Sequence, residues 1–349
     1  MRRSDPEPAA RLADHTTFGV GGPAAQLLRA TDEAELIAAV RQADQAGRPV
    51  LILGAGSNVL VADAGFPGLV VLVATTGRRV EPSRSDRVRL TVAAGQPWDD
   101  LVADAVERGW AGLEALSGIP GTVGAAPIQN IGAYGAEAAE AIVSVRAWDR
   151  RDARMVTWPA ADCGFAYRNS RFKTEPGRHL ILAVDFQLRC DPWADPPRYA
   201  ELAARLGLGP GRRAPLGQVR QAVLDLRRGK SMLFDPADPD SRGVGSFFTN
   251  PVVPAALAAG LPQAAPRYPQ DDGRVKLSAA WLIERAGFLP GYGVGPARLS
   301  SRHVLALTNQ GGASAAQVVA LAARIRRGVA DQFGVWLEVE PTLVGLSLG

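Results

Sequence analysis

The sequence has no apolar run of the roughly 18 residues that a membrane-spanning helix needs. Its start, residues 1–9, is charged and contains proline instead of an apolar signal region. The only two cysteines, Cys163 and Cys190, have the spacing of neither a disulfide framework nor a metal site, and the three histidines lie far apart. We therefore expect no metal, no membrane partner, a cytoplasmic location and disorder over roughly the first ten residues.

A strongly basic stripe is also missing. The net charge is +4, because 39 lysines and arginines are spread among 35 acidic residues and the arginine pairs are isolated. Nucleic-acid binding requires basic residues clustered on one face, so we expect no nucleic-acid partner. The hydrophobic content of 47% and charged content of 21% are typical of a soluble globular protein. A chain of 349 residues is long enough for two or three domains.

Glycine is plentiful, and it is concentrated in the stretch 117–135, SGIPGTVGAAPIQNIGAYG. Glycine lets the backbone approach a ligand that a Cβ atom would repel, and successive N–H groups in such a run can form an anion-binding nest. The stretch also carries Ile119, Val123, Ile128 and Ile131, which a flexible solvent loop does not need. We interpret it as a loop packed against a flat cofactor, with a plain solvent loop as the alternative.

A second glycine-rich segment, Gly54-Ala-Gly-Ser-Asn58, directly follows a short apolar strand predicted at 50–53. Its N–H groups could hold a phosphate, and the Ser57 and Asn58 side chains add donors. A Rossmann fingerprint is excluded because the third glycine is missing and residues 59–61 look extended. A tight strand-to-strand turn remains open. Together with 117–135, the segment gives two phosphate-friendly loops on adjacent small domains, as a dinucleotide would require.

Hydrophobic periodicity predicts an α+β protein. Thr31 is expected to cap the first helix, which Gly47 ends. Further helices are predicted at 97–109, 216–227, 277–286 and 314–333. Strands are predicted at 50–53, 69–73, 88–93, 142–148, 155–158, 180–188, 304–307 and 336–339. A segment rich in proline and glycine at 191–211 indicates a boundary.

Three further segments are candidates for a functional role: 165–173, 243–251 and 336–341. The second places Ser246 beside Phe247 and Phe248, which would make a dry site with a proton donor. The third places Glu338 and Glu340 on one face of a predicted strand. A solvated strand edge is the alternative for the first and the third segment.

With these motifs, the sequence resembles the UDP-N-acetylenolpyruvoylglucosamine reductase (MurB) family, in the form with an extra tyrosine-bearing loop. The matching motifs follow the family's order and cover nearly the whole chain: 15–19 (HTTFG), 54–60 (GAGSNVL), 117–135, 167–173 (YRNSRFK), 245–251 (GSFFTNP) and 277–284 (LSAAWLIE). The resemblance implies two FAD-binding subdomains of the PCMH/MurB type, expected at 1–80 and 81–212, and a C-terminal α+β substrate-binding domain at 213–349.

The resemblance implies the reduction of a UDP-sugar enolpyruvyl ether in peptidoglycan precursor synthesis, with FAD and NADPH as cofactors. NADPH would reduce FAD, flavin N5 would deliver a hydride to C3 of the substrate, and Ser246 would protonate C2. Arg168 would bind the substrate carboxylate through two hydrogen bonds, and Glu340 would act beside it. The implied FAD-binding residues are Gly54, Gly56, Ser57, Asn58, Ser117, Ile119, Pro120, Gly121, Gly124, Gln129, Asn130, Gly132, Ala133 and Tyr134.

On the substrate side, the resemblance implies that Tyr167 lines the nicotinamide or substrate pocket and that Asn250 contacts the substrate. Lys230 would bind the diphosphate or tune the site. Tyr199 would close over the substrate, although it could equally be an ordinary residue of an amphipathic helix. One departure is Thr249, where many relatives carry a basic residue.

Two other functions stay open at this point. One is an FAD-dependent oxidase of the same fold, which often tethers its flavin to a histidine in the glycine-rich loops, yet no histidine lies between Val50 and Arg178. The other is a non-catalytic sugar-nucleotide or flavin-binding module, which would have no need for a proton donor such as Ser246. We expect the chain to act as a monomer.

Overall fold

A computed structural model describes residues 7, 8, 10–84 and 86–348. The expectation of disorder near the start falls mostly outside these residues. Glu7 and Pro8, which are described, instead pair antiparallel with Leu27 and Gln26 of a neighbouring strand.

The helices and strands are labelled in chain order. The α-helices are α1 (Glu33–Gln45), α2 (Trp98–Glu107), α3 (Arg171–Thr174), α4 (Ala200–Arg205), α5 (Leu216–Gly229), α6 (Ala255–Ala259), α7 (Ala279–Arg285) and α8 (Ala315–Phe333). The strands are β1 (Glu7–Pro8), β2 (Ala24–Ala30), β3 (Val50–Leu53), β4 (Val59–Val61), β5 (Phe66–Val73), β6 (Arg78–Arg84), β7 (Arg87–Ala93), β8 (Trp110–Ala111), β9 (Gly132–Ala133), β10 (Ala136–Glu137), β11 (Ile142–Asp149), β12 (Arg154–Pro159), β13 (His179–Cys190), β14 (Val252–Val253), β15 (Arg267–Pro269), β16 (Val275–Leu277), β17 (Ala297–Leu299), β18 (Leu307–Asn309) and β19 (Thr342–Val344).

The chain divides into two compact units, of which the first comprises Met1–Ala10, Ala24–Ala55 and Pro67–Leu233. It contains an antiparallel sheet in the order β12-β11-β13-β7-β6, with β8 paired to β13. A second sheet runs β1-β2-β5-β3, and β3 pairs with β5 in parallel. Along β13, Asp185 and Gln187 are only half-buried while their neighbours are buried, as the alternation predicted.

The second unit comprises Arg11–Pro23, Gly56–Phe66 and Phe234–Gly349. Its core packs around α8, whose buried residues Val318, Ala322, Ile325 and Val329 recur at helical spacing. The Ser314 hydroxyl and the Gln317 side chain form a capping box at the start of α8. Gly334, with φ of 66°, ends the helix in the left-handed conformation. The predicted helix at 314–333 is therefore confirmed, with Ser314 as its cap.

Three details of the predicted elements were wrong. The first helix is capped by Asp32, whose carboxylate accepts the N–H of Glu35 at 3.0 Å, and not by Thr31. The strand expected at 304–307 begins only at Leu307, in β18. Residues 336–339 form no ladder strand, because their partner segment offers a single bridge, between Phe248 and Val339. The division into 1–80, 81–212 and 213–349 stays a prediction.

A buried carboxylate at the end of β11 binds Arg178, the residue that precedes β13. The side chain of Asp149 is 1% exposed and accepts hydrogen bonds from Arg178 at 2.8 and 3.0 Å. It also accepts the N–H groups of Arg151 and Asp152 at 3.0 and 3.1 Å. Burial alone would raise the pKa of Asp149, but these hydrogen bonds outweigh it and hold the pKa below its ordinary value.

We expect Asp149→Asn to lower the free energy of unfolding by about 1–3 kcal/mol near neutral pH, because the charged hydrogen bonds are lost. A lowered folded-state pKa stabilises the fold above the unfolded-state value of about 3.9, and the contribution disappears as pH falls through the folded-state pKa. Urea denaturation should therefore show a difference in the free energy of unfolding between the unaltered protein and Asp149→Asn, and this difference should shrink as the pH is lowered. Asp162→Asn, at an exposed site, is the control. A difference that does not begin to shrink as the pH falls below the unfolded-state value of about 3.9 would contradict the assignment.

Candidate active site

The glycine-rich loop 117–135 belongs to the first unit and is fixed at its start by α2 and α5. The indole N–H of Trp98 donates to the carbonyl of Leu116 at 3.0 Å. The N–H of Gly118 donates to the carboxylate of Asp99 at 2.5 Å, and its carbonyl accepts from Nε of Arg227 at 3.1 Å. The Gly118 peptide is thus held from both sides, which fixes how the loop leaves the core.

Several glycines of the two loops are needed for close packing of protein against protein. A Cβ atom on Gly54 would lie 2.5 Å from the hydroxyl oxygen of Thr122, and one on Gly124 would lie 2.6 Å from the Cβ of Ala94. A Cβ on Gly56 would collide with the carbonyl of His15. These glycines shape the loops through contacts within the protein, so their presence alone does not identify a ligand.

The hydrophobic residues of the loop divide between core and surface. Val123 is fully buried, and Ile119 and Ile131 pack against the same core. Ile128 is 38% exposed. Three of the four isoleucine and valine residues therefore anchor the loop, and the fourth, Ile128, is exposed.

Two polar residues assigned to the cofactor have internal partners for their side chains. Ser117 is buried, and its hydroxyl donates to the carbonyl of Glu114 at 2.7 Å. The buried side chain of Asn130 donates to the Glu137 carboxylate at 2.6 Å and accepts the N–H of Ala139 at 3.0 Å. These contacts fix the shape of the loop, and direct contact of either residue with FAD stays a prediction.

The guanidinium of Arg168 lies against the backbone of the glycine-rich loop. One Nη of its guanidinium donates to the carbonyl of Gly132 at 2.5 Å, and the other donates to the carbonyl of Asn130 at 3.4 Å. The guanidinium carbon lies 5.4 Å from the centre of the Tyr167 ring. The structure thus brings Arg168 and Tyr167 together with the loop, although 36 residues separate Gly132 from Arg168 in the chain.

The backbone at this place has an unusual conformation. Asn130, Tyr134 and Arg168 have φ values of 47°, 50° and 52°, which only glycine adopts freely. Non-glycine residues in this region cost free energy and are concentrated at ligand sites. Of the three, Tyr134 is followed directly by a glycine in the left-handed conformation, Gly135 with φ of 84°. The three residues therefore mark this loop as a candidate ligand site.

In the second unit, the segments that carry Ser246 and Glu340 run side by side. The N–H of Glu340 donates to the carbonyl of Phe247 at 2.9 Å, and the N–H of Thr249 donates to the carbonyl of Glu338 at 3.0 Å. Phe247 is fully buried, and Ser246 precedes it in the chain. The two residues expected to handle a proton and a carboxylate are thus neighbours in the fold.

Asn250 has a partner within the same unit. Its side-chain oxygen accepts the N–H of Ala279, the first residue of α7, at 2.9 Å. This contact joins the GSFFTNP motif to the LSAAWLIE motif. A substrate contact for Asn250 stays a prediction.

Tyr199 lies just before α4 and not inside a helix, so it is not an ordinary residue of an amphipathic helix. It is 46% exposed, and its ring packs edge-on against Tyr134 of the glycine-rich loop at a centroid distance of 5.7 Å. Lys230 follows α5, and its ammonium lies 2.6 Å from the carboxylate of Glu201. All four residues belong to the first unit.

Two residues of this region were not predicted from the sequence. Arg227 is 6% exposed and holds Gly118, and burial lowers its pKa. Asp99 receives two hydrogen bonds from Arg220, at 2.7 and 2.8 Å, in addition to the N–H of Gly118. A signal was present in the sequence, because Arg227 continues the apolar face of α5 four residues after Val223.

Among residues 7, 8, 10–84 and 86–348, no group of three or more His, Cys, Asp and Glu side chains is placed to hold a metal ion. Within the same described part of the chain, no helix combines the length and the apolar character that crossing a membrane requires.

The families that the chain matches define its class: this is a flavoprotein with an FAD-binding domain. The family model "FAD binding domain" matches residues 24–158, which confirms FAD as the expected cofactor. The model of the "UDP-N-acetylenolpyruvoylglucosamine reductase, C-terminal domain" matches residues 236–344. The chain belongs to the UDP-N-acetylenolpyruvoylglucosamine reductase (MurB) family of oxidoreductases.

Three relatives carry this conclusion. The UDP-N-acetylenolpyruvoylglucosamine reductase of Streptomyces avermitilis is 49% identical over 97% of this chain and 95% of its own length. That of Cutibacterium acnes is 52% identical over 97% of this chain and 90% of its own. The crystal structure of the Thermus caldophilus enzyme superposes with a TM-score of 0.65 at 26% identity, covering 97% and 98% of the two chains. The family and the fold class expected from the sequence are confirmed.

Proposed function

We propose that the chain reduces UDP-N-acetylglucosamine enolpyruvate to UDP-N-acetylmuramate with NADPH, in the synthesis of peptidoglycan precursors in the cytoplasm. The observation that carries this proposal is the identity of about half of all residues with reductases of that name, over nearly the full length of both chains. We further propose that it acts as a monomer and has no nucleic-acid or membrane partner.

FAD, when bound, supplies the hydride chemistry, taking a hydride from NADPH and giving one from N5 to C3 of the substrate. We propose that the two glycine-rich loops hold it. The proposed contacts are Gly54, Gly56, Ser57, Asn58, Ser117, Ile119, Pro120, Gly121, Gly124, Gln129, Asn130, Gly132, Ala133 and Tyr134. The left-handed backbone of Asn130 and Tyr134 and the anchored Gly118 support a preformed loop for this purpose.

Arg168 is the proposed partner of the substrate carboxylate. Hydride addition at C3 places negative charge on C2 and on this carboxylate, and preplaced donors stabilise such charge. A guanidinium binds a carboxylate with two parallel hydrogen bonds. The contacts of Arg168 with the carbonyls of Gly132 and Asn130 support this role, because they orient the guanidinium. Glu340 is proposed to hydrogen-bond the same developing enediolate.

Ser246 is the proposed proton donor to C2. A serine hydroxyl is a weak acid, but a carbon that carries enediolate charge is strongly basic, so the transfer is favourable. The buried side chains of Phe247 and Phe248 beside Ser246 support a site with little water. The pairing of Glu340 with Phe247 supports a shared role for the two segments.

For the rest of the substrate we propose Lys230 as the diphosphate ligand and Asn250 and Tyr199 as further contacts. Tyr167, beside Arg168, is proposed to line the pocket for nicotinamide or substrate. Thr249 replaces the basic residue that many relatives carry, and Lys230 or Arg242 would supply the charge instead.

The proposal is tested with purified protein reconstituted with FAD. It should be yellow, release its flavin on acid precipitation, and under anaerobic conditions oxidise more than one equivalent of NADPH per flavin only when the enolpyruvyl sugar nucleotide is added. Mass spectrometry should then find UDP-N-acetylmuramate. Flavin that stays attached to the precipitated protein, or NADPH turnover that the sugar nucleotide does not accelerate, would refute the proposed function.

Gly132 offers a test of how Arg168 is oriented. A Cβ atom at this position would lie 2.8 Å from Nη1 of Arg168 and 2.8 Å from the carbonyl oxygen of Ala136. We expect Gly132→Ala to displace the guanidinium and lower turnover of the sugar nucleotide by up to about 10²-fold, because small misplacements of a catalytic group are that costly. Steady-state kinetics and the flavin content measure the effect.

Gly217→Ala is the matched control, since a Cβ atom on that exposed helical glycine meets nothing within 4 Å. It should leave turnover unchanged. If Gly132→Ala retains normal turnover as well, the close approach of Arg168 to the loop has no role in catalysis.

A further inference from the structure

Residues 198–201, which we name the strap, are fastened at three points to other parts of the first unit. Arg198 forms an ion pair with Glu140. The ring of Tyr199 contacts that of Tyr134 edge-on. Glu201 forms an ion pair with Lys230. The strap therefore joins the glycine-rich loop, through Tyr134, to the lysine that follows α5.

Packing beneath the strap is tight as well. A Cβ atom on Gly135, the last residue of the glycine-rich loop, would lie 3.0 Å from the Cβ of Arg198. Gly135 has φ of 84°, a conformation that glycine adopts without strain. The backbone of the loop and that of the strap thus approach each other closely, and a shift of the strap would be felt at Tyr134.

The ion pair between Glu201 and Lys230 is short but accessible. The ammonium nitrogen and the carboxylate oxygen are 2.6 Å apart, while the side chains are 29% and 39% exposed. Exposed ion pairs contribute little free energy, since water competes for both partners. Another anion can therefore replace this carboxylate at small cost.

We propose that Glu201 is a counter-anion that holds Lys230 until the diphosphate of the nucleotide sugar displaces it. This inference rests on the proposed function, in which Lys230 binds the diphosphate. A diphosphate carries more negative charge than one carboxylate and offers several acceptor oxygens to the ammonium. Its arrival takes Lys230 from Glu201 and unfastens one end of the strap beside Tyr199.

Glu201 thereby makes the release of Lys230 a condition of diphosphate binding. A ligand without that charge cannot compete for Lys230 and meets the strap fastened at all three points. Replacing Glu201 with glutamine removes the competing charge while keeping the size of the side chain. Affinity for a diphosphate ligand should then rise, because Lys230 no longer has to be released.

The experiment measures the Kd of UDP by calorimetry on the FAD-loaded protein and the KM for UDP-N-acetylglucosamine enolpyruvate. We expect Glu201→Gln to lower both by about two- to fivefold, the range for an exposed ion pair. Lys230→Gln should raise both. In the Lys230→Gln background, adding Glu201→Gln should have no further effect, because the two residues act through each other.

Asp225→Asn is the matched control. Asp225 of α5 pairs with Arg205 of α4 at 2.7 Å, so the variant also removes an ion pair between these two helices, but not one with Lys230. It should leave the Kd of UDP unchanged. A lower Kd in this variant would mean that loosening α4 explains the effect, and the inference would be wrong.

Two other results would overturn the inference: an unchanged or raised Kd for UDP in Glu201→Gln, or a gain that persists without Lys230. These failures are distinguishable from failure of the proposed function. If the proposed function is wrong, the unaltered protein does not turn over the sugar nucleotide at all. If only this inference is wrong, the unaltered protein turns the sugar nucleotide over normally and Glu201→Gln does not respond as expected.

Discussion

Replacement of Ser246 with alanine is expected to leave reduction of the bound flavin by NADPH intact and to slow its reoxidation by the enolpyruvyl sugar nucleotide by roughly 10²- to 10⁴-fold, the usual contribution of a general acid. The reason is that hydride transfer from NADPH requires no proton at C2 of the sugar nucleotide, whereas completion of the second half-reaction does. Anaerobic stopped-flow absorbance of the flavin separates the two steps.

The control for this experiment is Ser347→Ala, which removes the hydroxyl of an exposed serine in the same unit. It should behave as the unaltered protein in both half-reactions. Normal reoxidation in Ser246→Ala would remove Ser246 as the proton donor, and loss of NADPH-driven reduction would show a defect at a different step. Solvent deuterium should slow reoxidation in the unaltered protein, since the proton reaches C2 from an exchangeable hydroxyl.

Arg168→Ala is expected to lower the rate of the second half-reaction by about 10²- to 10³-fold, as does the removal of one preplaced donor from an oxyanion site. FAD should be retained, because the proposed cofactor contacts come from the loops and not from this guanidinium. Arg168→Lys should recover little, since an ammonium cannot form two parallel hydrogen bonds with a carboxylate. Flavin content and stopped-flow reoxidation are the two measurements.

Arg154→Ala serves as the control, because Arg154 is an exposed arginine of β12 in the same unit. If Arg168→Ala instead loses flavin while its remaining holoenzyme reoxidises normally, Arg168 belongs to the cofactor site. Its contacts with Gly132 and Asn130 would then serve the shape of the loop alone.

Elements with strong periodicity could be predicted from the sequence alone. The helix at 216–227 is α5, because its apolar residues recur at helical spacing. The strand at 180–188 lies within β13, where a continuous apolar run is followed by alternation from Asp185 onward. The cap of α1 was misassigned by one residue, since Thr31 and Asp32 are both good caps and only backbone geometry chooses between them.

The prediction of a strand at 336–339 was wrong for a different reason. Its alternation of apolar and acidic residues is typical of a strand, but a strand also needs a partner of matching length. The GSFFTNP segment offers one bridge and two flanking hydrogen bonds, which no local pattern reveals.

The residues of the candidate site could be named from the sequence, but the contacts that they make with one another could not. Arg168 and the glycine-rich loop were both named from the sequence, yet their hydrogen bonds span 36 and 38 residues. Asn130 was named as a cofactor contact, and the sequence pattern did not reveal that its side chain bonds to Glu137 and to the backbone of Ala139. Such internal partners depend on how the chain folds back on itself, so the sequence pattern does not distinguish them from ligand contacts.

The central claim is that this flavoprotein transfers reducing equivalents to an enolpyruvyl sugar nucleotide. The most direct measurement is an anaerobic single turnover: the holoenzyme is bleached with an equimolar amount of NADPH and then mixed with UDP-N-acetylglucosamine enolpyruvate. We predict full recovery of the oxidised flavin spectrum and an equimolar yield of UDP-N-acetylmuramate. Flavin that stays bleached after mixing and recovers only when oxygen is admitted would contradict the account.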